Sequence, residues 1–456
     1  MFNATDTIAA LATPVGESGI AVIRMSGPQA LGVLSEVLRQ PSGKAFGEWE
    51  HRRLYHGDFV EASGERVDEV MASVMRGPDS YTGEDVVEIS CHGGLAVVQR
   101  ILHVLFGRTR PAEAGEFTRR AFLNGKIDLI QAEAVADLIH ARTEVQRVAA
   151  ERQLAGELSR RIDALADDML LLLGDLEARI DFVEEGIEAL DMPGTLARLA
   201  AQRAALDELL ASAPMLRLLR DGFRVVIAGP VNAGKSSLFN RLLGESRAIV
   251  TEIPGTTRDV LRETLVIDGV PFVLHDTAGL RGETSDRVEQ LGIGRTTDAV
   301  GQADLVLFVV DGSEMLPADA GLTQTLTTLD ATRSIVLINK ADLPARTNGE
   351  LAGLRVSAVT GTGLDELRAT MLARTGALDL ARMARERSVL NARLARLLED
   401  TRTELNGLDG MIQAYEPLEL VAEKAKEVLH LYEEATGRRY HDGLLDTIFS
   451  RFCIGK

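Results

Sequence analysis

The chain has 456 residues, 45% hydrophobic and 26% charged, with a formal net charge of −18. This is ordinary globular composition, and the length implies roughly three domains. The acidic balance argues against broad, nonspecific nucleic-acid binding by this chain alone, and its two cysteines, Cys91 and Cys453, fit a reducing cytoplasm better than a disulfide framework.

Residues 1–120 alternate strand-like and helix-like patterns and read as a compact α/β domain. Its distinctive runs are Asp6 to Pro14, Ile20 to Gly27 (containing Arg24), Tyr81 to Glu88, Cys91 to Gly94, and Gly115 to Asp128 (containing Lys126). Cys91 beside His92 admits a thiol nucleophile, but Gly93-Gly94 reads better as a close backbone approach. No basic segment precedes an apolar stretch at the N-terminus, and no apolar run approaches the ~20 residues that span a bilayer, so a cytoplasmic location without membrane contact is expected.

From 121 to about 220, Leu154, Leu158, Ile162, Leu165, Met169, Leu172, Leu176 and Ile180 recur every three or four residues. That is the stripe of a long amphipathic helix.

Phe223 to Ala228 is a strand-like run feeding a glycine-rich loop, Gly229 to Gly234, which opens into a helix at Lys235. Such a loop lets backbone N–H groups curl around phosphates. Asn232, Ala233, Gly234, Lys235, Ser236 and Ser237 form this site, with Lys235 reaching the outer phosphates and Ser236 placed to ligate Mg²⁺. Thr251, Glu252, Ile253, Pro254, Gly255, Thr256 and Thr257 form a first switch segment, in which Thr257 is the second hydroxyl for the metal. Asp268-Gly269 separates two strand-like runs, a two-residue hairpin signal. Asp276, Thr277, Ala278 and Gly279 form the second switch, where Asp276 holds Mg²⁺ through water and the Gly279 N–H faces the γ-phosphate.

Many GTPases follow that second switch with a Gln that orients the attacking water, but here the position is Leu280. A monovalent cation on Asn232, with carbonyls from Thr251, Ile253 and Thr256, would offset developing charge instead. Glu289 is a candidate for steering the water, its alternative being a solvated helix carboxylate.

Ser334 to Ile338 is a further apolar run ending in Asn339-Lys340-Ala341-Asp342. Asp342 can accept from both N1–H and the exocyclic amine of guanine, whereas adenine offers neither donor in that geometry. Asn339 would fix the loop, and the stem of Lys340 can lie over the base. Ser357-Ala358-Val359 follows the next short strand, with Val where GTPases usually carry Lys. Together these delimit a GTP-binding domain over 221–375 on a mostly parallel sheet.

Leu390, Leu394, Leu397, Leu405, Leu420, Val428 and Leu431 mark a second helical stretch within 376–456. Both stretches need partners for their apolar stripes. The simplest arrangement packs them on each other as one helical domain split by the inserted GTPase. Arg382, Arg385, Arg387, Arg393 and Arg396 are a basic stretch, more commonly a solvated face than an RNA contact. Aromatics are sparse, with Trp49 the single tryptophan, so no stacking platform for single-stranded RNA is read. The last residues are Phe452-Cys453-Ile454-Gly455-Lys456.

These motifs, in this order, resemble the MnmE (TrmE) family of tRNA modification GTPases along essentially the whole chain. The resemblance implies an α/β fold in three parts. These are an N-terminal domain over 1–120 that binds tetrahydrofolate and dimerises, a discontinuous helical domain over 121–220 and 376–456, and an inserted Ras-like P-loop GTPase domain. It also implies a K⁺-dependent GTPase acting as a homodimer with the FAD-containing partner MnmG. Together they would add an aminomethyl or carboxymethylaminomethyl group to the wobble uridine of certain tRNAs. The carbon would come from a 5-formyl- or methylene-tetrahydrofolate. Carried over by motif, Arg24, Glu88, Lys126 and Lys456 contact the folate, and Cys453 is catalytically important in a role left open. Read alone, Arg24 is equally a surface arginine, Lys126 a helix-end lysine, and Cys453 a small buried hydrophobe. Ala114 stands where the family usually has Pro, which touches only the local loop. A ribosome-assembly switch of the Era or Der type shares the G-domain motifs. Era would add a KH domain after the GTPase and Der a second P-loop, and neither is found here.

Overall fold

The computed structural model describes residues 6–181, 190–212, 222–244, 262–276, 303–314, 330–344, 351–386, 389–450 and 452–456. The chain divides into two compact units: Met1–Ile139, Gln153–Arg203 and Leu397–Lys456 in the first, His140–Arg152 and Ala204–Arg396 in the second.

The first unit opens with β1 (Ile8–Leu11), β2 (Ser18–Ser26), α1 (Ala30–Val37), β3 (Leu38–Arg39), β4 (Arg53–Val60), β5 (Arg66–Met75), β6 (Val86–Gly93), α2 (Leu95–Phe106), β7 (Arg110–Pro111) and α3 (Glu116–Leu123). The strands form one sheet in the order β3-β4-β5-β6-β2-β1-β7. Period-two alternation drives one face inward. Val70, Ala72 and Val74 of β5 and Ala21, Ile23 and Met25 of β2 share a core with Val33 and Leu34 of α1 and Ile101 and Leu105 of α2. The opposite face carries Ser73, Glu88 and Arg24 in one cross-strand row. Behind β1 lies a buried charge cluster: Arg120 of α3 pairs with Asp6, Glu84 and Glu116.

Four helices follow: α4 (Leu129–His140), α5 (Glu144–Leu154), α6 (Glu157–Asp181) and α7 (Met192–Leu210). The helix expected from Leu154 onward starts three residues later, because Gly156 sits at φ +74 and breaks the run. Leu158, Ile162, Met169, Leu172 and Leu176 are buried as the stripe requires.

The second unit is built on β8 (Phe223–Ala228), α8 (Lys235–Gly244), β9 (Arg262–Ile267), β10 (Val270–Asp276), β11 (Leu305–Asp311), β12 (Ser334–Asn339), β13 (Leu354–Arg355), α9 (Leu364–Thr375) and α10 (Ala377–Glu386). Its sheet order is β13-β12-β11-β8-β10-β9. All neighbours are parallel except β9 and β10, which are joined at Asp268-Gly269 by the hairpin read from the sequence. Parallel strands covered on both faces read as continuous apolar runs, and β11 is buried from Leu305 through Val310. Val145 of α5 joins this core.

The chain returns to the first unit within α11 (Ala392–Gln413), then α12 (Leu418–Thr436) and α13 (Asp442–Phe449). α12 packs along α6, so the two separated helical stretches do share one core. Leu390, Leu394, Leu405 and Val428 of the expected stripe are buried, but Leu397 and Leu431 are only partly so, and Leu420 is 53% exposed beside a buried Val421. Local periodicity finds the face, and tertiary packing, against α6 in the case of α12, selects which residue of a turn points inward. The expected α/β fold class, with an N-terminal sheet domain, a discontinuous helical domain and an inserted P-loop-type sheet, is the one observed.

Candidate functional site

Parallel pairing puts the carboxyl ends of β8, β11 and β12 along one edge of the second sheet, the edge where ligands bind in open α/β folds. Ala228 hands the chain to the glycine-rich loop, and α8 begins as the Leu238 N–H donates to the Gly234 carbonyl at 2.9 Å. Gly234 holds φ +89, and a Cβ there would lie 2.2 Å from Asn339 Nδ2. Only glycine satisfies both constraints. Asn232 is exposed at φ +63, Ala233 is buried, and Ser236 and Ser237 are exposed on the first turn of α8. Lys235 Nζ donates to the carbonyls of Gly229 (2.9 Å) and Pro230 (2.6 Å), so the ammonium lies over the loop.

The second half of the site is tied to the first by one amide. Asn339, 1% exposed at the end of β12, donates from Nδ2 to the Ala233 carbonyl at 2.9 Å. Its Oδ1 accepts from the Ala358 N–H at 3.2 Å. The glycine-rich loop and the loops that follow β12 and β13 are thereby fastened together through one side chain. Asp342 is exposed, with Oδ1 accepting from Ser357 Oγ at 2.5 Å. The buried Ser357 hydroxyl therefore orients the carboxylate proposed to read the base. Ala341 N–H donates to the Val356 carbonyl. Val359, which replaces the usual Lys, is 74% exposed.

Lys340 sits at φ +63 with Nζ 2.5 Å from Asp311 Oδ2. Burial raises the proton affinity of Asp311, but hydrogen bonds from Lys340 and Ser313 outweigh it and hold the carboxyl below its ordinary value. Asp311 was not singled out from sequence; the available signal was a carboxylate closing an otherwise apolar strand at the ligand edge.

Thr251, Glu252, Ile253, Pro254, Gly255, Thr256, Thr257, Thr277, Ala278, Gly279, Leu280 and Glu289 lie outside the described residues. Asp276 is described in its backbone alone, at the end of β10 opposite Ile227. The fit of a cation therefore rests on Asn232 and Ser236, both exposed at the rim of the loop, where an amide oxygen and a hydroxyl suit hard cations.

In the first unit the structure brings the other candidates around α3. Arg24 pairs with Glu88, Nη2 and Nε donating to Oε1 at 2.6 and 2.8 Å. Its guanidinium lies 5.5 Å from the Tyr81 ring centroid and 5.6 Å from that of Phe117. Tyr81 Oη is bonded to Thr118, and burial pushes its ionisation upward. Lys126 Nζ donates to the Pro78 carbonyl on the loop that carries Tyr81. Lys456 joins them through its backbone, whose carbonyl accepts from the Phe117 N–H at 3.2 Å. Ile454 bridges to Ala114, and Gly455 (φ +94) lies so close to β1 that a Cβ would meet the Leu11 carbonyl at 2.2 Å. Cys453 is exposed, contrary to the buried-hydrophobe alternative. Cys91 is buried, and burial with the neighbouring Asp68 pushes its thiol up to about 11, which removes it as a nucleophile near neutral pH.

Comparison with known proteins bears on both units. A family profile described as the GTP-binding protein TrmE N-terminus matches residues 7–126, and one described as the MnmE helical domain matches residues 129–453. Proteins named tRNA modification GTPase MnmE match at full length. That of Natranaerobius thermophilus is 41% identical, and that of Symbiobacterium thermophilum 44%, each over 99% of both chains. The chain belongs to the MnmE family. Among the described residues, no helix is long and apolar enough to cross a membrane.

Proposed function

We propose that this chain is a GTP hydrolase whose turnover serves modification of the wobble uridine of certain tRNAs. The observation that carries this reading is Asn339, which joins the phosphate loop to the base-reading loops in a chain of the MnmE family. Backbone N–H groups of Asn232 to Ser236 bind the phosphates, Lys235 adds positive charge beside them, and Asp342, aimed by Ser357, accepts the two guanine N–H groups. A guanine that lost either donor would leave that carboxylate poorly paired, which gives selectivity over adenine.

Ser236 and Thr257, with Asp276 through water, would hold Mg²⁺, which supplies charge neutralisation at the phosphates. Asn232, with carbonyls of Thr251, Ile253 and Thr256, would hold K⁺ in place of the Gln absent at Leu280. Glu289 is assigned to orienting water. The proposed organisation is an N-terminal folate-binding and dimerising domain over 1–120, a helical domain over 121–220 and 376–456, and the G domain over 221–375. Arg24, Glu88, Lys126 and Lys456 would hold a tetrahydrofolate derivative near Cys453. Arg24 over Tyr81 and Phe117 offers a cation and two ring faces, the chemistry that suits a conjugated, carboxylate-bearing ligand. The working assembly is a cytoplasmic homodimer with MnmG and tRNA.

The test is GTP hydrolysis in KCl and in NaCl at matched ionic strength, with Asn232→Ala alongside. Strong K⁺ stimulation that the variant loses is expected. Equal rates in the two salts would remove the cation from the scheme.

A further inference from the structure

We infer that Asp311 is a positioning residue for Lys340, and through it sets how tightly the guanine nucleotide is held. The inference rests on the guanine reading of Asn339 to Asp342 given above.

Asp311 closes β11 directly alongside Asn339 of β12, its register partner. The preceding residues of that strand are all buried and apolar, so the carboxylate is the one polar side chain β11 delivers to the ligand edge. Its two oxygens are divided between two partners. Oδ1 accepts from the Ser313 hydroxyl at 2.6 Å and from the Ser313 N–H at 2.9 Å, which fixes the plane of the carboxylate. Oδ2 is left facing Lys340 Nζ at 2.5 Å. The turn itself is fastened to the tetrad, since Gly312 N–H donates to the Asn339 carbonyl at 2.8 Å.

Lys340 needs such an anchor. Its φ of +63 lies in the left-handed region, which a non-glycine residue keeps only where its surroundings over-determine it. Its long stem also carries considerable rotamer freedom, and a stem that is to lie over a base must lose that freedom on binding. A partly buried, charge-assisted bond to Asp311 removes much of it beforehand, with side-chain exposures of 32% for Lys340 and 13% for Asp311. The alternative role for Asp311 is to shape its own turn through Ser313, with no consequence for Lys340.

The experiment measures equilibrium binding and dissociation of a fluorescent GDP on the full chain, with unlabelled GDP and ADP as competitors. It compares the parent, Asp311→Asn, Lys340→Gln, the double variant, Ser313→Ala and Asp342→Ala. Asp311→Asn should bind about tenfold more weakly, equivalent to about 1.4 kcal/mol, mainly through faster dissociation. The double variant should bind no more weakly than Lys340→Gln alone, since Asp311 acts through that lysine. Ser313→Ala should lose much less. Parent-like affinity in Asp311→Asn, losses that add in the double variant, or an equal loss in Ser313→Ala would each overturn the inference. Asp342→Ala separates the two levels. If the parent holds GDP no better than ADP, or Asp342→Ala keeps the parent's selectivity, the guanine reading itself fails and this inference falls with it. If Asp342→Ala loses selectivity while Asp311→Asn behaves as the parent, only the inference about Asp311 fails.

Discussion

Replacing Asn339 by Ala should uncouple the glycine-rich loop from the loops after β12 and β13. The side chain is 1% exposed and makes two bonds to backbone, 2.9 Å to the Ala233 carbonyl and 3.2 Å from the Ala358 N–H. Each contributes about 0.5–1.5 kcal/mol net, and a buried backbone group left unpaired costs about 1–3 kcal/mol. The loss should be about 2–4 kcal/mol, a large share of the ~5–15 kcal/mol that holds a domain folded. Asn339→Asp should not rescue it, because it turns a carboxylate oxygen toward the Ala233 carbonyl. Hydrogen exchange of peptides covering 223–244 is the assay, and exchange should accelerate roughly 30- to 1000-fold. Trp49, the single tryptophan, is buried in the first unit and reports that unit separately. Its urea midpoint should not move. An acceleration below about threefold would refute the coupling reasoning.

Arg120 is 2% exposed among Asp6, Glu84 and Glu116, so Arg120→Met should strip Glu84 of its cation, leave Asp6 and Glu116 to Arg110 alone, and cost about 3–5 kcal/mol in Trp49-monitored urea unfolding. Burial raises the Asp6 proton affinity, but hydrogen bonds from Arg110 and Arg120 overcome this and hold its carboxyl below the ordinary 3.8. The stability Asp6 supplies is therefore complete above its unfolded-state pKa and lost as pH falls through the lowered value, so Asp6→Asn should flatten the acid limb of a stability–pH curve. Gly455→Ala places a Cβ 2.2 Å from the Leu11 carbonyl at φ +94, so the tail should leave β1 and amide exchange over 452–456 should accelerate about tenfold while GTP hydrolysis is retained. Lys126→Gln should weaken 5-formyltetrahydrofolate binding by about tenfold in calorimetry and leave GDP affinity unchanged.

The candidate nucleotide site was legible because phosphate binding, where a chain provides it, is local chemistry. A strand, a glycine loop, a lysine and a hydroxyl are contiguous from Phe223 to Ser237, and the tetrad Asn339 to Asp342 is four consecutive residues. The hairpin at Asp268-Gly269 was equally legible, since its positive φ values demand those residue types. Asp311 and the Arg120 cluster were not, because each joins groups far apart in sequence: Asp6 meets Arg120 across 114 residues, and Asp311 meets Lys340 across 29. Periodicity found the helical stripes but misplaced Leu420 against Val421. An amphipathic pattern fixes a face to within about one position, and only the partner helix decides between neighbours. The α3 cluster became visible through motif order rather than spacing, as Arg24, Lys126 and Lys456 carry no common local pattern.

The central claim is that nucleotide turnover by this chain drives tRNA modification. Its most direct test is mass spectrometry of wobble nucleosides from cells in which this chain, or its Lys235→Ala variant, replaces the resident family member. The account predicts modified wobble uridine with the parent chain and its loss with Lys235→Ala, while the variant protein stays folded and abundant. Full modification in the Lys235→Ala cells would contradict it.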